Sequence, residues 1–164
     1  MAVVLHELTK PALWLRIFFR VPVWFFRLGL GFLFAGKFIL LEHIGRKSGI
    51  TRYHCVEVIE RRDLHVAPHF TIVSGYGERS QWYRNIKATP TIQVHTGRGR
   101  SPYRAEFVSP SEGADLMAAY AEAHPKLAKE LMMVCGAEVD GSETDYREVA
   151  EKRLRFLRLS PAAG

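Results

Sequence analysis

The stretch from residue 38 to residue 107 constrains the fold most, because strand-like segments follow one another there with only short turns between them. Within it, residues 51–62 alternate as expected for a strand with two different faces. One face carries Tyr53, Cys55 and Glu57, and the other carries His54, Val56 and Val58. Further strands are predicted over residues 38–45, 64–75 with an interruption at Pro68, 91–97 and 102–110. Short connections favour antiparallel pairing, so we predict an α+β fold built on a mostly antiparallel barrel with flanking helices.

Helical patterns lie between and after these strands. A short helix is predicted in ERSQWYRNIKA, before Pro90, and a longer one begins with Ser111 as its N-cap and is divided in two at Pro125. A third helix is predicted in ETDYREVAEKRL, and RFLRLSP is expected to close the sheet as its last strand. The chain has 164 residues, 48% of them apolar, so we expect one structural domain, with an N-terminal segment over 1–37 and a barrel over 38–164.

The charge of the chain is unevenly placed. Residues 1–53 contain eight Lys and Arg residues against Glu7 and Glu42, which accounts for the whole net charge of +6. Such asymmetry indicates an acidic ligand, an anionic membrane surface or nucleic acid. Nucleic acid is the least favoured, because no known binding motif accompanies the charge and GRGR at 97–100 fits a hairpin tip.

Residues 12–41 resemble a membrane segment in composition, yet cations at positions 16, 20, 27 and 37 interrupt them. A spanning helix needs about 20 apolar residues, so we expect neither a transmembrane segment nor a signal peptide. Two explanations stay open: a helix packed on its own domain with Arg stems along apolar surface, or a helix lying on an anionic membrane. Cys55 and Cys135 lack the spacing of metal ligands or of a disulfide framework, so we expect no metal site and a cytoplasmic protein. If the helix lies on a membrane, we expect the protein to be peripheral on the inner face of the plasma membrane.

The turn between the first two predicted strands, residues 45–49, has the sequence GRKSG and is the strongest local signal. Backbone N–H groups in a glycine-flanked turn can converge on an anion, and Arg46, Lys47 and Ser48 add a planar guanidinium, a point charge and a hydroxyl. Arg52, on the next strand, is close enough in sequence to reach the same pocket. The alternative is a basic turn that is merely solvated, since the spacing of a Walker loop is absent.

A second group of candidates lies in the segment SGYGERSQWYRN. Gly75 and Gly77 allow the backbone to approach a ligand closely. Trp82, Tyr83 and Asn85 stand at the start of a predicted helix, where aromatic side chains can line a flat ring and an amide can orient it. The alternative is a helix that buries its aromatic side chains in the core of the domain.

Together and in this order, GRKSGxxR, SGxG and WYRNIKATP resemble the deazaflavin-dependent nitroreductase family, the split-barrel oxidoreductases that use coenzyme F420. The resemblance runs from about Phe19 to Phe107, and more loosely to the RLSP segment. It implies a split β-barrel of the FMN-binding-like kind and non-covalent binding of reduced F420, an 8-hydroxy-5-deazaflavin with a phosphate and an acidic tail. It implies that the phosphate and tail are held by Arg46, Lys47, Ser48 and Arg52, that the ring is lined by the backbone of Ile72, Val73, Ser74 and Gly75, and that Gln81, Trp82, Tyr83 and Asn85 complete the pocket.

The implied activity is hydride transfer from the reduced cofactor to an electron-poor acceptor, and a quinone is the acceptor that we expect. Ser74, near the reactive edge of the ring, and His124 are the expected proton donors. Only Tyr120 stands where the nitroimidazole-activating branch has a tyrosine cluster, so reduction of nitroimidazoles is not expected. The alternatives are a split barrel that binds FMN or haem, and a deazaflavin-binding protein without turnover. Contact of residues 12–41 with a membrane would place the pocket near lipophilic quinones.

Overall fold

The computed structural model describes residues 4–5, 24, 26, 28, 36–97 and 99–162. The strands are β1 (Val4–Leu5), β2 (Phe38–Ile44), β3 (Thr51–Asp63), β4 (Pro68–Ser74), β5 (Thr91–Thr96), β6 (Gly99–Phe107), β7 (Ala137–Glu138) and β8 (Arg155–Pro161). The helices are α1 (Gln81–Ala88), α2 (Pro110–Ala123), α3 (Pro125–Val134) and α4 (Glu143–Lys152), with a 3₁₀ turn at Gly77–Arg79 before α1.

Six of the strands form a closed antiparallel barrel in the order β2-β3-β4-β8-β6-β5, which confirms the predicted α+β split barrel. β8 pairs with β4 on one side and with β6 on the other, so the last strand closes the barrel as the sequence predicts. Alternate residues of the strands fill the interior, for example Ile39 and Leu41 of β2. Helix α1 adds Trp82, Tyr83 and Ile86 to the same core, and their burial fixes the helix against the barrel.

Helices α2, α3 and α4 pack on the outside of the barrel around a second core. Met117 of α2, Met132 of α3 and Tyr146 of α4 meet there with Phe156 of β8. Full burial of an apolar side chain of this size contributes roughly 1.5–3 kcal/mol, so this layer holds the helices firmly on the sheet. A separate two-stranded pairing of β1 with β7 was not predicted from the sequence.

Two element boundaries differ from the predicted ones. β4 begins at Pro68, where the sequence predicted an interruption within a longer strand. Proline suits the first residue of a strand because it has no N–H to give to the ladder. Helix α2 is capped by Ser109 and not by Ser111: the Ser109 hydroxyl oxygen accepts the backbone N–H of Glu112 at 3.3 Å. Pro110 occupies the first helical position, where a backbone N–H is not needed.

The predicted helix over residues 12–35 lies outside the described residues except at Trp24, Phe26 and Leu28. Trp24 and Phe26 are helical, and the Leu28 N–H donates to the Trp24 carbonyl at 2.9 Å. Among the residues that the structure describes, no helix combines the length and the apolar character needed to cross a membrane. The boundary at residue 37 between an N-terminal segment and the barrel stays a prediction.

The connection from β4 to α1 depends on a close approach at Gly77. The Ser74 hydroxyl donates to the Gly77 carbonyl at 3.0 Å and so fixes the turn that leads into the helix. Gly77 has a φ of 56°, and a Cβ atom there would collide with the backbone carbonyl of Arg153. Gly49, in the β2–β3 turn, has a similar φ of 66°, but a Cβ atom there would meet nothing within 4 Å.

Substitution of Gly77 by alanine is expected to lower the free energy of unfolding by about 3 kcal/mol, because a left-handed backbone and a steric collision both oppose the side chain. Gly49→Ala is the matched control and should lose only about 1 kcal/mol, since it has the backbone cost without the collision. Urea unfolding of both variants measures the difference. Equal losses would contradict the importance of the contact with Arg153.

Candidate active site

A cavity of about 710 Å³ opens between the β2–β3 turn, the start of β3 and helix α1. The residues that line it are His43, Gly45, Arg46, Lys47, Ser48, Arg52, Tyr53, His54, Tyr76, Arg79, Ser80, Gln81, Trp82 and Asn85. Four of them are Lys or Arg and none is Asp or Glu. A cavity of this size accepts a cofactor-sized molecule, and its charge favours an anionic one.

The β2–β3 turn is closed by its own backbone. The Gly45 N–H donates to the Ile50 carbonyl at 2.9 Å, and the Gly49 N–H donates to the Gly45 carbonyl at 2.7 Å. The Ser48 hydroxyl oxygen accepts the Ile50 N–H at 3.3 Å, which leaves the hydroxyl hydrogen for donation. The turn is therefore held in shape without the use of its two cationic side chains.

Arg46 ties this turn to α1. Its backbone N–H donates to Asn85 Oδ1 at 3.2 Å, and its Nη1 donates to Asn85 Oδ1 at 2.9 Å and to Gln81 Oε1 at 3.0 Å. Asn85 is only 7% exposed, so the contact lies on the buried side of the turn. Because amide oxygens accept a hydrogen bond without carrying a formal charge, the guanidinium is oriented and keeps its full positive charge.

The other cations of the lining are Lys47, Arg52 and Arg79. Within the part of the chain that the structure describes, none of them forms an ion pair with a carboxylate. Glu42, which lies on the strand that leads into the turn, is engaged elsewhere, by His95 at 2.6 Å and by Arg100 at 2.7 Å. Cations that share one cavity repel one another, and an anionic ligand relieves that repulsion.

One wall of the cavity is aromatic. The buried Trp82 stacks on His54, with 5.4 Å between the ring centroids and 23° between the planes. Tyr83 belongs to the barrel core, and its ring meets that of the partly exposed Phe107 edge to face at 5.4 Å. Tyr53 is 38% exposed and stands at the mouth of the cavity. A flat wall beside a group of cations fits a planar ring that carries an anionic chain.

Both histidines of the lining are neutral at neutral pH. Burial lowers the pKa of His54 to about 4, and His43, when protonated, adds to this effect by repulsion. Burial also lowers the pKa of His43, and Arg52 adds to this effect, while a backbone hydrogen bond at Ile44 opposes it. The positive potential of the cavity therefore comes from Lys and Arg and not from imidazolium.

The structure brings seven of the predicted cofactor-binding residues together in the lining: Arg46, Lys47, Ser48, Arg52, Gln81, Trp82 and Asn85. The remaining five, Ile72, Val73, Ser74, Gly75 and Tyr83, lie outside it. Strand β4 is paired with β3 and β8, and the side chains of Ile72 and Val73 point into the two cores. A Cβ atom at Gly75 would meet Cys135 Sγ at 2.5 Å, so the close approach of this glycine is to the end of α3. That the backbone of β4 lines the ring stays a prediction.

The two predicted proton donors also lie outside the lining. Ser74 is buried, and its hydroxyl donates to the Gly77 carbonyl. His124 is exposed at the C-terminal end of α2, with its ring 5.3 Å from that of Tyr120. The Tyr120 hydroxyl donates to Glu57 Oε1 at 3.1 Å, and burial raises the pKa of Glu57. His124 thus belongs to a polar cluster beside α2, and a role in proton transfer stays a prediction for both residues.

Six residues of the lining were missed by the sequence reasoning: His43, Tyr53, His54, Tyr76, Arg79 and Ser80. A signal existed for two of them. His54 follows Arg52 by two residues on an alternating strand, so both side chains project to the same face. His43 is the cross-strand partner of Arg52 once the turn is recognised. The residues around the 3₁₀ turn carry no such pattern, because their position depends on the path between β4 and α1.

The chain is similar to several known proteins. A family model described as F420H(2)-dependent quinone reductase matches residues 19–134, a range that includes the whole cavity lining. A putative F420H(2)-dependent quinone reductase of Mycobacterium tuberculosis is 36% identical over 90 residues, which are 55% of this chain and 74% of that protein. Among solved structures, an F420-H2 dependent reductase, FDR-A, is 23% identical with a TM-score of 0.48, and the match covers 76% of this chain and 94% of that one. An FMN-binding protein related to pyridoxamine 5'-phosphate oxidase, from Nostoc punctiforme, is 13% identical with a TM-score of 0.49, and the match covers 93% and 83%.

Acidification is expected to destabilise the fold through His54, because its pKa of about 4 in the folded chain lies below the ordinary value of 6.5. The unfolded chain takes up the proton first, so this contribution to stability is complete above about pH 7 and falls as the pH is lowered further. By about pH 5 the loss should be on the order of 1–2 kcal/mol.

Urea unfolding across this pH range measures the effect. His54→Phe keeps an aromatic ring against Trp82 but does not titrate, so its stability should fall less steeply with acidification than that of the wild type. Parallel curves for the two proteins would show that His54 is not responsible.

Proposed function

Because the chain belongs to the F420H(2)-dependent quinone reductase family, we propose that its basic cavity is the site that holds reduced F420. Membership makes the protein an F420-dependent oxidoreductase with quinones as its acceptor class. The cofactor and the activity predicted from the motifs are thereby confirmed. The assignment of individual residues to the cofactor is the proposal.

The observation that supports this site most directly is a cavity lined by four cations and no carboxylate. Reduced F420 joins a flat deazaflavin ring to a phosphate and an acidic tail, and so brings several negative charges into one site. A charge-assisted hydrogen bond to such an oxygen is worth about 1.5–3 kcal/mol. The donors present therefore match the sign of the charges that the cofactor carries.

The two parts of the cavity suit the two parts of the cofactor. The phosphate is proposed to lie at the β2–β3 turn, where Arg46 is already oriented and Ser48 has a hydrogen to donate. Lys47 and Arg52, which form no ion pair among the described residues, are proposed to hold the acidic tail. The ring is then proposed to lie beside Trp82, which is held in position by its stacking on His54.

When bound, the reduced deazaflavin supplies a hydride, which suits the two-electron reduction of a quinone. The chain contributes position and electrostatics. Arg46 and Arg52 bind the anionic part of the cofactor and so fix the position of its ring for hydride transfer. Neither His43 nor His54 holds an acidic proton at neutral pH, so we propose that water at the open mouth beside Tyr53 provides the proton.

Neutralisation of Lys47 or of Arg52 to glutamine is expected to weaken F420 binding about tenfold each, since one lost charge-assisted contact costs about 1.4 kcal/mol. The loss should shrink as the salt concentration rises, because the contacts are partly open to solvent. Titration followed by quenching of tryptophan fluorescence measures Kd. Lys126→Gln, which removes an exposed cation of α3 outside the cavity, should leave Kd unchanged.

The same titration with FMN separates this proposal from its main alternative. FMN carries one phosphate and no acidic tail, so it should bind the wild type less tightly than F420 and should respond less to the Lys47 and Arg52 variants. Tighter binding of FMN than of F420 would overturn the proposed occupant of the cavity. Unchanged F420 affinity in both charge variants would overturn the role of the two side chains.

We further propose that residues 12–41 bring the protein to the inner face of the plasma membrane, where lipophilic quinones reside. Most of this segment lies outside the described residues. Within it, Trp24 is 59% exposed and Leu28 is 71% exposed, and the segment carries cations at positions 16, 20, 27 and 37. Exposed aromatic and aliphatic side chains among cations are typical of helices that lie on anionic lipid.

Replacement of both Trp24 and Leu28 by serine is expected to reduce co-sedimentation with anionic phospholipid vesicles several-fold, because two apolar anchors are lost. The control replaces Met133 and Val134, two exposed apolar side chains of α3, by serine and should sediment like the wild type. If the Trp24 and Leu28 variant also sediments like the wild type, the membrane proposal fails.

A further inference from the structure

His43 lies behind the basic turn, only 4% exposed, with its Nδ1 atom 3.4 Å from Asn85 Nδ2. Asn85 Oδ1 is occupied by two donors of Arg46, the backbone N–H at 3.2 Å and Nη1 at 2.9 Å. An amide accepts at one end and donates at the other, so Nδ2 is the end that faces His43. The Nδ1 atom of His43 is therefore the acceptor, and the ring carries its proton on Nε2.

The neutral ring is thus part of what orients Arg46. A protonated His43 has a hydrogen on Nδ1, and this hydrogen would point at the donor end of the Asn85 amide. Rotation of the amide removes that conflict by bringing Oδ1 to His43 and Nδ2 to Arg46. Arg46 would then lose both of its contacts with Asn85 and keep only the bond to Gln81 Oε1.

Burial and the positive charge of Arg52 favour the neutral form of His43, and a backbone hydrogen bond at Ile44 opposes them. The titratable or charged groups nearby are Arg52 and His54 of β3, and Arg46 and Lys47 of the turn line the same cavity. Helix α1 presents the uncharged amide of Asn85. Glu42, the neighbour on the same strand, points to the opposite face and is engaged by other side chains. No carboxylate of the cavity lining therefore offsets a positive charge on the ring.

We propose that His43 is a positioning residue of the cofactor site, whose neutral form fixes the Asn85 amide and through it Arg46. Affinity for F420 is then complete at neutral pH and declines as the solution becomes acidic enough to protonate the ring. The inference rests on the proposed function of the cavity and deepens it, because it makes affinity depend on a side chain that acts through Asn85.

The test compares the Kd for F420 of the wild type and of His43→Gln by fluorescence titration from about pH 8 to about pH 5. Glutamine can accept from Asn85 Nδ2 through its Oε1 but does not titrate, so the two proteins should bind alike at the alkaline end. At the acid end the wild type should have lost more affinity than the variant, because only the wild-type side chain at position 43 takes up a proton. Titration of the ligand affects both proteins equally. Because His43 also influences the pKa of His54, the comparison is repeated with His54→Phe in both proteins, where the difference between the curves reports His43 alone. His43→Leu, which offers no acceptor to Asn85 Nδ2, should bind F420 more weakly than His43→Gln at every pH.

Identical pH profiles for the wild type and His43→Gln, with tight binding at the alkaline end, would overturn this inference and leave the cofactor site standing. Absence of F420 binding by the wild type at every pH would overturn the proposed function and the inference together. If far-UV circular dichroism shows that His43→Gln does not fold, the ¹⁵N chemical shifts of the wild-type His43 ring show which ring nitrogen carries the proton. A proton on Nε2 is the expected result, and a proton on Nδ1 would overturn the inference.

Discussion

The contact between Arg46 and Asn85 joins two parts of the chain that are 39 residues apart, and the candidate site depends on it. Asn85 is in place because its helix is anchored by Trp82 and Ile86, which are buried in the barrel core. The turn is in place because Arg46 reaches that helix through three hydrogen bonds. Burial of apolar surface thus determines where the positive charges stand, although those charges take no part in the core.

Before its ligand binds, this cavity contains positive charges that no carboxylate of its lining neutralises. Arg46 is held by uncharged amides, and Glu42, the acid on the adjoining strand, is turned to the other face of the sheet. The mutual repulsion of the cations lowers the stability of the folded chain when no ligand is bound. An anionic cofactor removes that repulsion as it binds, and any ligand that prefers the folded state also stabilises it by mass action.

Local sequence was sufficient to predict those features of the fold that residues within a single turn, helix or strand determine. The turn at GRKSG, the division of the helical region at Pro125 and the final strand were all predictable, because glycine, proline and alternation act within a few residues. For Trp82 the sequence left two interpretations open, a core residue or a wall of a pocket, and the structure shows both: the ring is part of the barrel core and also lines the cavity.

The features of the site that the sequence did not predict depend on contacts between distant segments of the chain. Tyr76 and Arg79 reach the cavity only because the backbone between β4 and α1 turns closely at Gly77. No periodic pattern in the sequence predicts the course of this connection. The burial of Ile72 and Val73 follows from the pairing of β4 with both β3 and β8. A strand buried on both sides and a strand that borders a ligand have similar apolar sequences, so the motif alone did not distinguish them.

The position of β8 between β4 and β6 has a consequence for synthesis of the protein. The barrel cannot close until residues 155–161 have left the ribosome, long after the strands on either side of the gap have been made. During that interval β4 and β6 each present an unpaired edge, and such edges pair readily with strands of other chains. Aggregation is therefore most to be expected while the nascent chain waits for its last strand, and rapid completion of translation protects it.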